Sequence, residues 1–353
     1  MTQKDIRKLI TIRKIENIVP IEGADAIETA VLGGWRVVIA KRDGFKVGDH
    51  VVYLEIDSFL PEGHPAWQFL VEKSARNAVS PDGKDVRGHV LRTVKLRGQV
   101  SQGLILRAED FGLNENSTQE EINETFAALG VFKWEPALPV GSADTVGAFP
   151  SFIKKTDSER VQNIGDEFLA SLDPTEWIAE EKIDGTSSTF WKIDGVLHAA
   201  GRNWELSLEG EGTHAQIARQ YNLSEVLPEG SFIQGEIYGE GIQKNPLKIQ
   251  GRRLAVFSSG RITYGPAVAW TEEETAVFDK FCTENSAPIV NLTFPRTVDE
   301  AIQQVDGLKS LVNPQAQAEG VVWWNIKGRL FSETGDRGNF KAINNVFLAK
   351  LKD

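Results

Sequence analysis

Over the first 110 residues apolar side chains either alternate with polar ones or gather in short β-branched runs. The runs are residues 9–19 (LITIRKIENIV), 35–40 (WRVVIA), 50–56 (HVVYLEI), 89–96 (HVLRTVKL) and 103–107 (GLILR). A period of two marks a strand with one buried face, and β-branched side chains suit that pleated surface. Turn residues separate the runs at Gly33-Gly34, Arg42-Asp43-Gly44, Gly48-Asp49 and Pro81-Asp82-Gly83. Short strands spaced this closely predict a small closed β-barrel over residues 1–110.

The period then changes. Ser117 and Glu120 have capping-box spacing, Ile122, Phe126 and Leu129 recur at helical intervals, and Gly130 supplies a stop. Pro136, Pro139 and Gly141 then interrupt regular structure, so residues 111–149 read as a connector: one helix, then a Pro-rich stretch. Residues 150–353 mix both periods. Ser158–Leu172 predicts a helix with Val161, Ile164, Phe168 and Leu172 on one face, and Thr271 with Glu274 and Thr297 with Glu300 open two capped helices. Strands are expected at 177–183 (WIAEEKI), 188–193 (STFWKI), 196–201 (VLHAAG), 231–238 (SFIQGEIY), 253–259 (RLAVFSS), 320–326 (GVVWWNI) and 329–333 (RLFSE), with hairpin turns at Asp194-Gly195 and Lys327-Gly328. Hairpins with interspersed helices predict an antiparallel α+β domain rather than a doubly wound parallel one.

Composition changes this picture little, but charge sharpens it. The 353 residues include 39 Lys plus Arg and 50 Asp plus Glu, a formal net charge of −11, which argues against holding polyanions or anionic membrane by bulk positive charge. The charge is uneven: residues 1–110 carry net +2, residues 111–149 net −5 and residues 150–353 net −8. Lys84, Arg87, Arg92, Lys95, Arg97 and Arg107 fall between 84 and 107 against Asp85 alone. By spacing, that run is first of all a solvated strand face. One cysteine, Cys282, cannot form an intramolecular disulfide, and no Cys/His cluster has zinc spacing. No signal-like apolar stretch opens the chain and nowhere do 18 apolar residues run together, so a cytoplasmic setting without a membrane is expected.

P-loop, dinucleotide, nucleophile-elbow and H-E-x-x-H motifs are absent. What stands out is Lys182-Ile183-Asp184-Gly185. Alternation puts Glu180, Lys182 and Asp184 on one strand face and Ala179, Glu181 and Ile183 on the other. Such a row can be a surface ion-pair ladder, or a lysine whose surroundings turn it into a nucleophile. Downstream, in order, come Gly201-Arg202-Asn203-Trp204-Glu205-Leu206, Gly235-Glu236-Ile237-Tyr238-Gly239, Leu254-Ala255-Val256-Phe257, Glu319-Gly320-Val321-Val322 and Phe340-Lys341-Ala342-Ile343. This ordered series resembles the nucleotidyltransferase motifs of the covalent ligase and capping-enzyme superfamily.

Within that superfamily the chain most resembles ATP-dependent RNA ligases with an N-terminal OB domain. The first domain carries the likeness in Gly34-Trp35-Arg36-Val37-Val38, residues 47–53 (VGDHVVY), Ile56-Asp57-Ser58 and residues 96–104 (LRGQVSQGL). The junction carries it in Phe149-Pro150-Ser151-Phe152 and residues 155–163 (KTDSERVQN). The resemblance implies an OB-fold at 1–110 and a ligase-type nucleotidyltransferase domain at 150–353. It also implies ATP and Mg²⁺ or Mn²⁺ as cofactors and RNA ends or a nicked duplex as substrate, with no obligatory protein partner. Lys182 would become adenylylated, the AMP would pass to an RNA 5′-phosphate, and a 3′-OH would displace it. Glu180, Glu181, Ile183, Gly185, Arg202, Glu236, Phe257 and Lys341 would form the nucleotide site with Lys182, Phe257 stacking on adenine. Asp184, Glu236 and Glu319 would hold the metal mostly through water. The catalytic set is then Lys182, Asp184, Arg202, Glu236, Glu319 and Lys341, and the basic run offers Arg87, Arg92, Lys95 and Arg97 to nucleic acid.

Rival readings are a DNA ligase, a GTP-dependent capping guanylyltransferase, or a non-catalytic nucleic-acid-binding module. Only 12 residues follow Lys341, without the C-terminal OB domain and closing motif of DNA ligases and capping enzymes, which favours the RNA ligase. Many relatives carry a second lysine two positions after the last one. Here that position is Ile343, which leaves Lys327, Arg329 or Arg337 as the second cation. Lys155, Asp157 and Arg160 either touch substrate or cap the helix after them.

Overall fold

The computed structural model describes residues 8–135, 144–263, 268–335 and 337–350. The first domain is built from short antiparallel strands. Strand His50–Leu54 pairs with Ile10–Lys14 on one side and Leu104–Arg107 on the other, and Asn17–Pro20, Ile27–Leu32 and Trp35–Ala40 form a meander. Thr93–Leu96 and Gln99–Gln102 form a hairpin that turns at Arg97 and Gly98, both left-handed. Alternation is strict where it matters: Trp35, Val37 and Ile39 are buried while Arg36 is exposed.

Several expected elements are redrawn. The run 9–19 is two strands, because Ile15, fully buried, ends the first by donating its N–H to Asp49. The run 89–96 is likewise split into Asp85–Val90 and Thr93–Leu96. The capping box sits one residue later than expected: Thr118 accepts from the Glu121 N–H at 3.2 Å and Glu121 accepts from the Thr118 N–H at 2.7 Å. The helix it opens, Gln119–Ala128, packs Ile122 and Phe126 into the barrel's core beside Trp67 and Leu113. After Gly130 the chain returns to the barrel, where Phe132–Lys133 pairs with Ser58–Pro61. Pro136, Pro139 and Gly141 lie outside the described residues.

The second domain holds two sheets. One has six antiparallel strands in the order Thr145–Ala148, Trp204–Leu206, Val196–Ala200, Thr186–Ile193, Ser231–Gly239, Arg252–Arg261. The other has four, Glu159–Arg160, Asn339–Ile343, Gly320–Asn325 and Trp177–Lys182, antiparallel except where Glu159–Arg160 runs parallel to Phe340–Lys341. Asp194 and Gly195, at φ 53° and 73°, make the expected tight hairpin. Lys327-Gly328 does not: it leads into a longer loop before the next strand begins at Asn339. Nor is 329–333 a strand, since Arg329 is drawn to Glu176 at 3.0 Å while Phe331 packs between Phe168 and Trp177. The single helix expected over 158–172 is broken at Gly165 (φ 81°, ψ 161°) into Val161–Ile164 and Asp166–Ser171. Among the described residues no helix is long and apolar enough to cross a membrane.

The domains meet tightly. Asn163 accepts from Arg13 at 2.7 Å and from the Trp35 indole at 3.3 Å, and donates to Glu55 at 3.2 Å. A Cβ on Gly34 would stand 2.7 Å from Ile302 and 2.8 Å from Val298, across that junction, at a φ of 81°. Gly34→Ala is therefore expected to cost about 1–3 kcal/mol by denaturant unfolding. Gly23→Ala, also at positive φ but with open space around it, should cost only roughly 1 kcal/mol.

Candidate active site

A cavity of about 350 Å³ opens where strands of the two sheets of the second domain face each other. Trp177–Lys182 alternates as expected: Trp177, Ala179 and Glu181 are buried, and Lys182 reaches the cavity. Lys182 pairs in register with Gly320, which brings the preceding residue, Glu319, against it: the Lys182 ammonium donates to Glu319 at 2.6 Å. Two glycines permit this crowding. A Cβ on Gly320 would lie 2.3 Å from the Ala342 carbonyl, and one on Gly185 would lie 2.2 Å from the Ile237 carbonyl.

Glu236, on Ser231–Gly239, lines the same cavity. Burial pushes its carboxyl up to about 8; Lys182 opposes that rise and the charges of Glu319 and Asp184 add to it. Asp184 is pushed to about 6, by burial first and Glu319 second. Burial alone favours a neutral amine at Lys182, but Glu319, Glu236 and Asp184 outweigh it and hold the ammonium above the ordinary lysine range. The protein's own groups thus keep Lys182 charged. Asp184 and Glu319 do not line the cavity; they approach Lys182 from its margin.

The far wall is aromatic. Phe257 stacks on Trp324 with centroids 6.0 Å apart and planes at 19°. Beside them Glu180 is driven up to about 8 by burial, offset only in part by the Trp324 indole N–H. Glu181 turns its carboxylate away, accepting from the Leu311 N–H at 2.7 Å, and burial raises its pKa too. Ile183 packs with Tyr238, Leu247, Ala255 and Ala287 beneath the wall. Trp324 was not singled out from the sequence, although a period of two through 320–326 puts Val322 and Trp324 on the face opposite buried Val321 and Trp323.

Arg202 and Lys341 lie on the cavity's polar side with Lys155 and Asp157. Arg202 pairs with Asp157 at 3.0 Å. Burial works against the Asp157 carboxylate, yet Arg202, then Lys341, Arg337 and Lys133, outweigh it and hold it below the usual range. Lys155 donates to Asn203 at 2.8 Å. Both Lys155 and Asp157 therefore face the cavity rather than cap a helix, whereas Arg160, the residue before helix Val161–Ile164, turns into the domain junction and lies 5.2 Å over buried Trp35 of the first domain. Of the three alternatives for a second cation, Arg337 is the one whose charge reaches Asp157; Arg329 is paired with Glu176.

The basic run lies apart from the cavity. Arg87 pairs with Glu62 at 2.8 Å, Arg92 sits 5.3 Å over Trp134, Lys95 donates to the Ala349 carbonyl at 3.3 Å, and Arg97 is exposed at its hairpin turn. Among the described residues no three His, Cys, Asp or Glu converge closely enough to ligate an ion directly. Asp184, Glu236 and Glu319 are nonetheless hard oxygen donors short of positive charge, which suits a Mg²⁺ or Mn²⁺ that keeps its water shell.

Two sequence families match the chain: one described as an OB-fold domain over residues 9–108, the other as RNA ligase over residues 175–343. Among solved structures, the chain is similar to an RNA ligase from Naegleria gruberi. A ligand-free mutant of that ligase is 34% identical, with 98% of each chain covered and a TM-score of 0.73. A mutant with ATP and manganese is 34% identical, covering 98% of this chain and 100% of that one, with a TM-score of 0.73. Another with AMP and manganese gives 34%, 98%, 99% and 0.72 for the same quantities. No match is found among curated proteins.

Proposed function

The chain belongs to the RNA ligase family and is an ATP-dependent RNA ligase, and from that premise we propose that it seals breaks carrying a 3′-OH and a 5′-phosphate, namely nicks in duplex RNA or in RNA-containing hybrids. The observation that supports this reading best is the grouping of Lys182 with Glu319, Glu236 and Asp184, beside an aromatic wall and opposite Arg202 and Lys341.

The Lys182 amine bonds to the α-phosphorus of ATP, the bond to pyrophosphate breaks, and the ammonium proton must leave; Glu319, at 2.6 Å, stands in place to accept it. AMP then passes to a 5′-phosphate oxygen of RNA, freeing Lys182, and the 3′-OH displaces AMP as the phosphodiester forms. Glu236 holds the ribose, Glu180, Glu181, Ile183 and Gly185 shape the pocket around the nucleotide, and Phe257, backed by Trp324, stacks on adenine. Arg202 and Lys341 counter charge developing on phosphate. Asp184, Glu236 and Glu319 would hold a Mg²⁺ or Mn²⁺ mostly through water, and it would supply neutralisation of phosphate charge and offset the carboxylates that keep Lys182 charged. Arg87, Arg92, Lys95 and Arg97 contact the RNA backbone, with salt-dependent affinity. The domains divide this work: 1–110 holds nucleic acid, the helix Gln119–Ala128 and strand Phe132–Lys133 of the segment 111–149 pack onto it before the chain crosses over, and 150–353 performs adenylyl transfer.

Label transfer from ATP or GTP, followed by sealing of nicks with RNA or DNA at the 3′-OH side, tests this. Label from ATP and sealing with a 3′-OH RNA strand are expected. Label from GTP points instead to a guanylyltransferase, equal sealing of all-DNA nicks to a DNA ligase, and binding without label to a non-catalytic module. Phe257→Ala should raise the KM for ATP in adenylylation about 10-fold with a smaller change in kcat, since a lost stacking contact is worth roughly 1 kcal/mol beyond its area.

A further inference from the structure

We propose that Gln234 is the residue by which the chain recognises ribose at the end it joins: its side-chain oxygen accepts a hydrogen bond from the 2′-OH of the nucleotide that bears the attacking 3′-OH, and the Thr189 hydroxyl completes the site. This deepens the RNA-sealing reading and rests on it.

Gln234 lies on Ser231–Gly239 two residues before Glu236, and alternation puts both on the face that lines the cavity, while Ile233 and Ile237 enter the core behind. On the neighbouring strand Ser187 is in register with Glu236 and Thr189 with Gln234. All four line the cavity, so its floor consists of two polar rungs. Glu236, on the first, holds the ribose of ATP. The second rung, Gln234 and Thr189, touches neither ATP nor metal in that scheme.

What the second rung offers follows from how the amide is held. Gln234 is only 4% exposed, and its Nε2 donates to the Lys154 carbonyl at 2.9 Å and to the Thr189 hydroxyl oxygen at 3.3 Å. A carbonyl can only accept, so the amide nitrogen faces Lys154 and the amide oxygen is turned away from it. Among the described residues nothing donates to that oxygen, yet it is not one of the buried atoms left without a partner, so it opens onto the cavity that Gln234 lines. It is an acceptor fixed in direction. Thr189, 2% exposed, accepts from Gln234 and keeps its O–H proton to donate. One acceptor beside one donor suits a hydroxyl, which gives one hydrogen bond and takes another, and a phosphate oxygen has no proton to give the amide oxygen.

Ribose hydroxyls come from two sources, ATP and the RNA end. The order of the strands favours the second. Phe257, the adenine platform, is on Arg252–Arg261, to one side of the strand that carries Gln234, whereas Thr189 is on Thr186–Ile193, to the other. The bond to Thr189 therefore draws the amide away from the adenine wall. The bond to Lys154 ties it to the segment whose next residue, Lys155, donates to Asn203 beside Arg202. On that polar side the phosphates being joined are countered, and the ribose beside them belongs to the RNA end.

The test uses the full chain and nicks already adenylylated at the 5′ end, identical except that the 3′-terminal nucleotide carries 2′-OH, 2′-H or 2′-F. Wild type should seal the 2′-OH end at least about 10-fold faster than the 2′-H end, the scale of one hydrogen bond. Fluorine keeps the sugar pucker of a ribonucleotide but has no proton to give, so the 2′-F end should seal like the 2′-H end. In Gln234→Met the ratio of 2′-OH to 2′-H rates should fall to roughly 2 or less, through slower sealing of the 2′-OH end. Discrimination between ATP and 2′-deoxy-ATP in adenylylation should be the same in Gln234→Met and wild type. A change there with an unaltered end ratio assigns the amide to the nucleotide and overturns the proposal. So does an end ratio that Gln234→Met leaves intact, or, with no variant needed, a 2′-F end that wild type seals as fast as the 2′-OH end. A wild type that takes no AMP from ATP defeats the ligase reading instead. A wild type that is adenylylated and seals, with equal rates on 2′-OH and 2′-H ends, defeats this inference alone.

Discussion

Lys182→Ala is expected to reduce ATP-dependent strand joining by at least about 10⁴-fold, the scale seen when a covalent nucleophile is removed. The same protein should lose far less when the 5′ end is supplied already adenylylated. The reason lies in what Lys182 touches. Its amine forms and breaks the bond to AMP, so two of the three transfers require it, whereas the last has a hydroxyl as nucleophile and AMP as leaving group. Arg202 and Lys341, still present, can stabilise the phosphate during that last transfer. Side-by-side rates with ATP plus a 5′-phosphate strand and with a pre-adenylylated strand check this. Equal losses on both would mean that Lys182 shapes the cavity rather than carrying AMP.

The second large effect is on stability against pH without ligand. Glu236 is raised to about 8 and Asp184 to about 6, so the folded protein binds protons more tightly than the unfolded chain, in which both titrate near ordinary carboxylate values. Stability must then fall as pH rises from about 4 through 8. Lys182 is raised as well, but its favourable contribution is lost only as pH climbs through its folded value, above the lysine range, so it adds no slope in this window. The decline from pH 5 to 8 should amount to roughly 2–4 kcal/mol. Glu236→Gln should remove its own share of the decline and leave that of Glu180, which burial also raises to about 8, and Mg²⁺ or Mn²⁺ at pH 8 should recover part of it in the wild type by neutralising the carboxylates beside Lys182. Denaturant melts across this range measure it, and a stability that rises from pH 5 to 8 in metal-free buffer contradicts the electrostatics described here.

Much of the architecture could be read from period and punctuation, and the exceptions have identifiable causes. The 177–183 strand correctly separated Lys182 and Glu180 from Glu181, because alternation is local. The capping box slipped by one residue because Ser117-Thr118 is followed by Glu120-Glu121, and both pairings satisfy the same rule; the structure chose the one that buries Ile122 and Phe126. The helix over 158–172 failed at Gly165, whose backbone (φ 81°, ψ 161°) lies outside the helical region and so separates two short helices. The charge state of Lys182 depends on Glu319, 137 residues away in sequence, and the direction of its shift follows only once the strands bearing both are paired.

The central claim is that Lys182 carries AMP. The most direct measurement is the intact mass of the purified chain, stripped of bound nucleotide and then incubated with ATP and Mg²⁺. A gain of one AMP in the wild type, absent from Lys182→Ala, is the expected result. No gain in the wild type, or an equal gain in Lys182→Ala, contradicts the account.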